Sequence, residues 1–281
     1  EPKDPQEQPD SQAGPSPTPT QRSTPVPKRT TEFAPTPTSD RWIQAKLPSA
    51  DVENIALYNI GSFKTAGCNG IRFEHGSAVP PAPDRVNYLF CYRYSLVPRS
   101  SFFTHWQHGR TLASFGWVDL GAFSGDKKLA QVWLALSRAQ VDVATVARAP
   151  ETPFAVRVQV RPPQGHRPVW GGLVKGTFDG VITAFQSLSD TTHLTEVATR
   201  ISTVLSADVA EVEKHLLDRR RAVLGVVPRL ASPYRNGVKW DPSDHWCVAG
   251  ELLAAEPVGS HWAIKGEVVE VSRSAPVDRG K

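Results

Sequence analysis

Methionine is absent from all 281 residues, the first included. We therefore expect the sequence to begin inside a longer chain, with any targeting signal upstream of it. No run of about 18 consecutive apolar residues occurs, so no membrane span is expected in this piece. Cysteine is scarce: Cys68, Cys91 and Cys247 are the three present. An odd number at wide spacing argues against a disulfide framework and fits a reducing, cytoplasmic setting. Three buried, inert thiols are expected, with one disulfide and a spare thiol as the alternative. The patterns G-x-x-x-x-G-K-[ST], G-x-G-x-x-G and G-x-S-x-G are also missing. Their absence removes support for a P-loop enzyme, a Rossmann dehydrogenase and an α/β-hydrolase, and no paired cysteines are spaced for zinc.

Proline is abundant, and it is concentrated at the start. Residues 1–40 hold ten prolines with many Ser, Thr and Gln, and Val26 and Phe33 are their main apolar side chains. Such a segment buries too little surface to offset its ordering entropy, so a disordered, partly polyproline-II tail is expected. Its "PSPTPTQRSTPVPKR" stretch reads as a spacer, or as a ligand for a proline-recognition domain. The same residues carry six acids and four bases, net −2, so the +4 of the whole chain leaves +6 on residues 41–281. A basic folded part favours an anionic partner, either nucleic acid or an acidic protein.

The remainder, 41–275, reads as an α+β region of mostly antiparallel strands with a helical cluster near 180–224, followed by a disordered end at 276–281. It forms either one body or two subdomains, 41–150 and 151–275. "RVNYLFCYRYSLV" at 85–97 is aromatic-rich and β-prone. "AQVWLALSRAQV" fits strand or helix; its shortness and flanking turns favour a strand. In "PFAVRVQVRPP", Phe154, Val156, Val158 and Val160 alternate with Ala155, Arg157, Gln159 and Arg161. That is a strand whose second face is basic and polar, either wet or ligand-facing. Farther on, Val181, Ala184, Phe185 and Leu188 stand at helical spacing, which makes Asp179 just before them a candidate N-cap. Two further helices are expected: "LTEVATRISTVLS", with Leu194, Val197, Ile201, Val204 and Leu205 on one side, and "DVAEVEKHLLDRRRAVL", capped by Asp208. Asn236-Gly237 in "YRNGVKW" signals a hairpin, and the last two strands lie in "HWCVAGELLAA" and "HWAIKGEVVEVS".

Candidate chemistry is sparse. His105 and His108 could share a helical face, but their flanks read as loop or strand and no HExxH glutamate accompanies them. His-Trp recurs at 105–106, 245–246 and 261–262, either as packed strand ends or as an aromatic surface for stacking bases. Arg219, Arg220 and Arg221 either reach phosphates or complement a helix C-terminus. Arg157, Arg161 and Lys239 complete the expected nucleic-acid contacts. Asp179, Asp241 and Asp244, with Glu251 beyond them, could converge on Mg²⁺ or Mn²⁺ for phosphodiester hydrolysis, Lys175 or Lys239 holding the phosphate.

This order of features resembles that of RusA-type Holliday junction resolvases: a strand, an Arg-Pro loop, K-x-x-x-D, then an acidic turn entering a strand. The family's D-x-D-N-L-x-K appears as "TFDGVIT" and its paired acids as "DPSDHW". Asp179 matches one acid, while Thr177, Gly180 and Thr183 replace the other acid, the Asn and the Lys. The resemblance spans 153–272 and implies a metal-dependent nuclease using Asp179, Asp241 and Asp244, with Lys175 assisting. Three functions are thus expected in order: a basic, non-catalytic module contacting nucleic acid or an acidic partner, such a nuclease, or a structural subunit of a larger assembly.

Overall fold

Alternating stretches build one sheet, and apolar stripes between them build the helices laid over it. The computed structural model describes residues 41–45, 69–75, 90–94 and 102–274, with 41–45 and 90–94 as backbone. The expected tail, Cys68, the outer parts of the 85–97 strand and the expected disordered end lie outside the described residues. The strands in chain order are β1 (Arg41–Ala45), β2 (Gly70–Glu74), β3 (Phe90–Tyr94), β4 (Trp106–Gly121), β5 (Val141–Val143) and β6 (Phe154–Arg161). They continue as β7 (Ser187–Leu188), β8 (Val226–Val227), β9 (Ala231–Tyr234), β10 (Gly237–Trp240), β11 (Cys247–Ala254) and β12 (Trp262–Arg273). The described α-helices are α1 (Lys128–Arg138), α2 (Val174–Ala184), α3 (Leu194–Leu205) and α4 (Val209–Leu216).

The fold is α+β. Six strands form a mixed, mostly antiparallel sheet in the order β2-β11-β6-β12-β4-β5, in which β11 and β6 run parallel. Strands from both sides of residue 150 share this sheet. The pairs β1–β3, β9–β10 and β7–β8 stand apart from it. The alternation in β6 holds: Phe154, Val156, Val158 and Val160 are buried, while Arg157, Gln159 and Arg161 are half-buried on the other face. Together with Phe73, Leu252, Ile264 and Val268, the buried row packs against α1 and α2 to make the core.

Several expectations change on contact with the structure. "AQVWLALSRAQV" is largely helix, not strand. Ala130, Val132, Trp133, Leu134, Leu136 and Ser137 are all buried, and Lys128, Gln131, Ala135 and Arg138 form a narrow, less buried stripe at helical spacing. The second change concerns Asp179, which is no N-cap. Helix α2 begins at Val174, after a turn of 3-10 helix at Trp170–Gly172, and Asp179 lies mid-helix, 6% exposed. The apolar stripe in fact runs Val174, Phe178, Val181, Ile182, Phe185, all buried, interrupted to the eye by Gly176 and Gly180. Those glycines admit α1: a Cβ at 180 would stand 2.6 Å from Val132 Cβ, and one at 176 would stand 2.7 Å from Lys128 Cβ.

Third, the expected helix over 208–224 stops at Leu216 and gives way to a 3-10 turn at Arg219–Arg221. Asp208 does cap α4, accepting from Glu211 N at 2.9 Å. Fourth, Val204 leaves the buried side of α3 and is exposed. The hairpin forms, but its loop is Arg235-Asn236, one residue earlier than Asn236-Gly237, since Gly237 pairs with Tyr234. Arg235 takes the positive φ of 49° that such a turn needs.

Candidate functional site

The helices cover one face of the sheet, and the other face is graded along the strands into three tiers. The lowest tier is apolar: Trp106, Ala155, Val248, Ala249, Val269 and Val271 form a small cluster under Phe103. The segment that brings Phe103 there is tied down by Glu74, whose carboxylate accepts from Thr104 N at 2.8 Å and His105 N at 2.7 Å.

The middle tier is a row of alternating charge crossing neighbouring strands. Arg72 Nε on β2 donates to Glu251 Oε2 on β11 at 2.9 Å. Glu251 Oε1 lies 3.3 Å from Arg157 Nη2 on β6, and Arg157 Nη1 lies 2.8 Å from Glu267 Oε1 on β12. His108 on β4 approaches Glu267 at 3.7 Å. Register explains the row, because Glu251 pairs with both Arg72 and Arg157, and Arg157 with Glu267. Opposite charges set directly across a sheet attract one another. Here they also answer each other's desolvation, since Glu251 is 5% exposed.

In the upper tier the pattern stops. Beyond the row on the same face, Lys265 stands two residues from Glu267 on β12 and Arg161 four residues from Arg157 on β6. Among the described residues neither is in an ion pair; both turn to an aromatic ring instead. Arg161 Cζ lies 3.7 Å from the centroid of the Trp117 ring and Lys265 Nζ lies 5.6 Å from it, both within cation–π range. Trp117 remains 37% exposed. A bulge delivers it: Val118 pairs with Ile264 and Phe115 with Gly266, so Gly116 and Trp117 together oppose Lys265. At the rim, Asp119 accepts from the Gly121 N–H at 2.6 Å and lies 2.9 Å from His261 Nδ1. Partial desolvation pushes the Asp119 carboxyl up, but the bonds to His261 and Gly121 outweigh it and hold the group below its ordinary value.

The residues singled out in the sequence therefore scatter. Arg157 and Arg161 lie on the open face, Arg157 already held between two carboxylates. Arg219, Arg220 and Arg221 belong to the helical layer. Arg221 donates to the Ser137 and Ala139 carbonyls at the end of α1, and Asp218 holds Arg220 at 3.0 Å. Lys239 on β10 sits 3.9 Å from Asp241. Lys175 and Asp179 pair within α2 at 3.5 Å.

Among the described residues no three His, Cys, Asp or Glu side chains are placed to hold a metal ion. The 241–246 segment meets the far end of α2, where Gln186 Nε2 donates to Ser243 O at 2.9 Å and Gln186 Oε1 accepts from Ser243 N at 3.1 Å. Each His-Trp pair falls where a strand of the large sheet begins, at β4, β11 and β12, and Trp106 is buried while Trp246 and Trp262 pack on the core. Cys247 is half-buried. The sequence reading missed Trp117 and Lys265. The one signal for Trp117 was the Gly-Trp step that breaks alternation in "SFGWVDL".

The helical layer carries its own electrostatic cluster between α1 and α4. Arg138 donates to both carboxylate oxygens of Glu211 at 2.8 and 2.7 Å. This fork, with some opposition from desolvation, draws the Glu211 carboxyl down to about 2. Burial against Trp133 holds the neighbouring His215 below its ordinary 6.5, against the pull of Glu211. Both folded-state values are depressed, so both groups bind protons more readily in the unfolded chain, and stability falls as pH falls. The His215 contribution fades below pH 6.5 and that of Glu211 between 4.5 and about 2. Thermal midpoints measured from pH 7 to 4 should decline, and His215→Gln should flatten the upper part of that decline. An unchanged slope in the variant would contradict the assignment.

Comparison with family models, curated proteins and solved structures finds no match for this chain.

Proposed function

We propose that the protein is a nucleic-acid-binding module that takes its ligand on the upper tier of the open sheet face. The observation that carries this reading is the contrast between two rows of one surface. In the middle tier every cation faces a carboxylate, while farther along the strands Arg161 and Lys265 flank an exposed Trp117 and, among the described residues, neither is in an ion pair. Cations left uncompensated on a rigid surface favour phosphate, and a neighbouring aromatic ring suits a base better than it suits an acidic side chain. The excess positive charge of residues 41–281 acts in the same direction.

The test is fluorescence anisotropy of a labelled oligonucleotide at increasing salt. Affinity should fall with salt, and Arg161→Gln/Lys265→Gln should reduce the steepness of log K against log salt by about 1.4, roughly 0.7 for each cation on a single strand. Arg220→Gln, in the helical layer and already held by Asp218, should change neither affinity nor slope. Wild-type affinity in the Arg161→Gln/Lys265→Gln protein would overturn the placement. An absence of binding at low salt, with capture of an acidic polypeptide instead, would overturn the ligand class.

A further inference from the structure

Resting on that nucleic-acid reading, we infer that the upper tier accepts an unpaired strand, with a base stacked on the Trp117–Arg161 platform and its phosphates directed to Arg161 and Lys265. In a duplex the π-faces of the bases are already stacked on one another, so an exposed indole gains nothing from them. A single strand presents those faces freely. The platform is built for such a contact. Trp117 sits on β4, a long strand hydrogen-bonded to β12, and not on a loop. Its ring is therefore ordered before any ligand arrives, which lowers the entropic cost of binding. A guanidinium 3.7 Å from the ring centroid lies over one face of the indole, so the base stacks on the outer plane of a charged guanidinium that the ring holds in place.

The dimensions suit a short segment. The tier spans β6, β12 and β4, about 10 Å at the ordinary strand spacing, room for one or two nucleotides but not for both backbones of a duplex. Its chemistry is also directional. Asp119, held below its ordinary carboxyl value beside His261, stays ionised at the rim. Phosphates are turned away from that edge and toward Lys265 and Arg161. Gln159, half-buried on β6 and paired in register with Lys265, faces the same tier and supplies both a donor and an acceptor.

The experiment compares labelled ten-nucleotide oligothymidylate and oligouridylate with a DNA duplex of similar length, using the whole chain at low salt. Wild-type protein should bind at least one single strand about tenfold or more tightly than the duplex. Trp117→Ala should weaken single-strand binding about 5- to 100-fold, the range of one lost base stack. Trp117→Phe should retain most of the affinity, and duplex binding should be the same in all three proteins. The ratio of the two single strands identifies the sugar, and either preference supports the inference. Thermal midpoints of the variants check that they are folded, and the phenylalanine protein keeps the test decisive if the alanine protein is not. Salt-dependent binding with equal affinity for duplex and strand, or with no effect of Trp117→Ala, would overturn the inference and leave the nucleic-acid reading standing. No binding of any of the three would overturn both.

Discussion

Glu251→Ala should destabilise the protein by about 3–5 kcal/mol, the usual consequence of removing one partner from a buried ion pair. Glu251 lies between two guanidinium groups, and the side chain of Arg72 is itself 8% exposed. Deleting the carboxylate takes two hydrogen bonds from Arg72, whose guanidinium also donates to the Phe102 carbonyl and lies 5.6 Å from the Phe103 ring. Arg157 suffers less, because it retains Glu267 and reaches solvent. Chemical denaturation read by tryptophan fluorescence should show the lower midpoint. The origin of the loss can be isolated with Arg72→Met/Glu251→Leu, which replaces both charges by apolar groups and should recover much of the stability, because a buried pair contributes little beyond answering its own desolvation. If the double variant is as unstable as Glu251→Ala, the loss does not arise from removing one charge of the pair.

Gly180→Val should cost a comparable amount, on the order of 2–3 kcal/mol after a helix-propensity gain that is smaller. The first added carbon already stands 2.6 Å from Val132 Cβ and 2.9 Å from the Leu129 carbonyl oxygen. One of those partners is backbone, so α1 must move away from α2, and the movement opens the layer against the sheet. Val132→Gly removes both carbons that the new one would meet, the Cβ at 2.6 Å and the Cγ1 at 2.8 Å. In the Gly180→Ala/Val132→Gly protein the two substitutions should therefore destabilise less than the sum of the singles, a coupling that a double-mutant cycle measures directly. Strict additivity would mean that the two helices are not in contact at this point.

Much of this architecture was legible where a single period governed a segment. β6 shows its alternation over eight residues and is buried as the alternation requires; α3 shows a stripe, and Asp208 stands where a cap should. Legibility failed where tertiary contact overrode the local pattern. The polar stripe of α1 is narrow, Lys128, Gln131 and Arg138, and a short, mostly apolar, turn-bounded segment resembles a buried strand. α2 carries glycines that signal a break in isolation and a close helix crossing in context. The candidate site was half visible. Arg161 could be found from alternation, but Trp117 is placed by a bulge that shifts the register by one residue, and a one-residue slip sends every later side chain to the other face. Nothing in the sequence distinguishes Arg157, held between two glutamates, from Arg161, which has none. That difference is set by strands β11 and β12, each about 90 residues or more away in the chain.

The sheet order has a consequence for how the chain matures. β12, the last strand described, is inserted between β6 and β4 and pairs with both. During vectorial synthesis β4 and β6 are made more than 100 residues earlier and have no neighbour to close the gap between them, so each presents an unpaired edge to the cell while the intervening chain emerges. Folding must wait for a distant final piece, which makes it slow by topology alone. Nascent chains halted before residue 262 should accordingly be the form that chaperones hold and proteases clear, while chains that include residues 262–273 close the sheet.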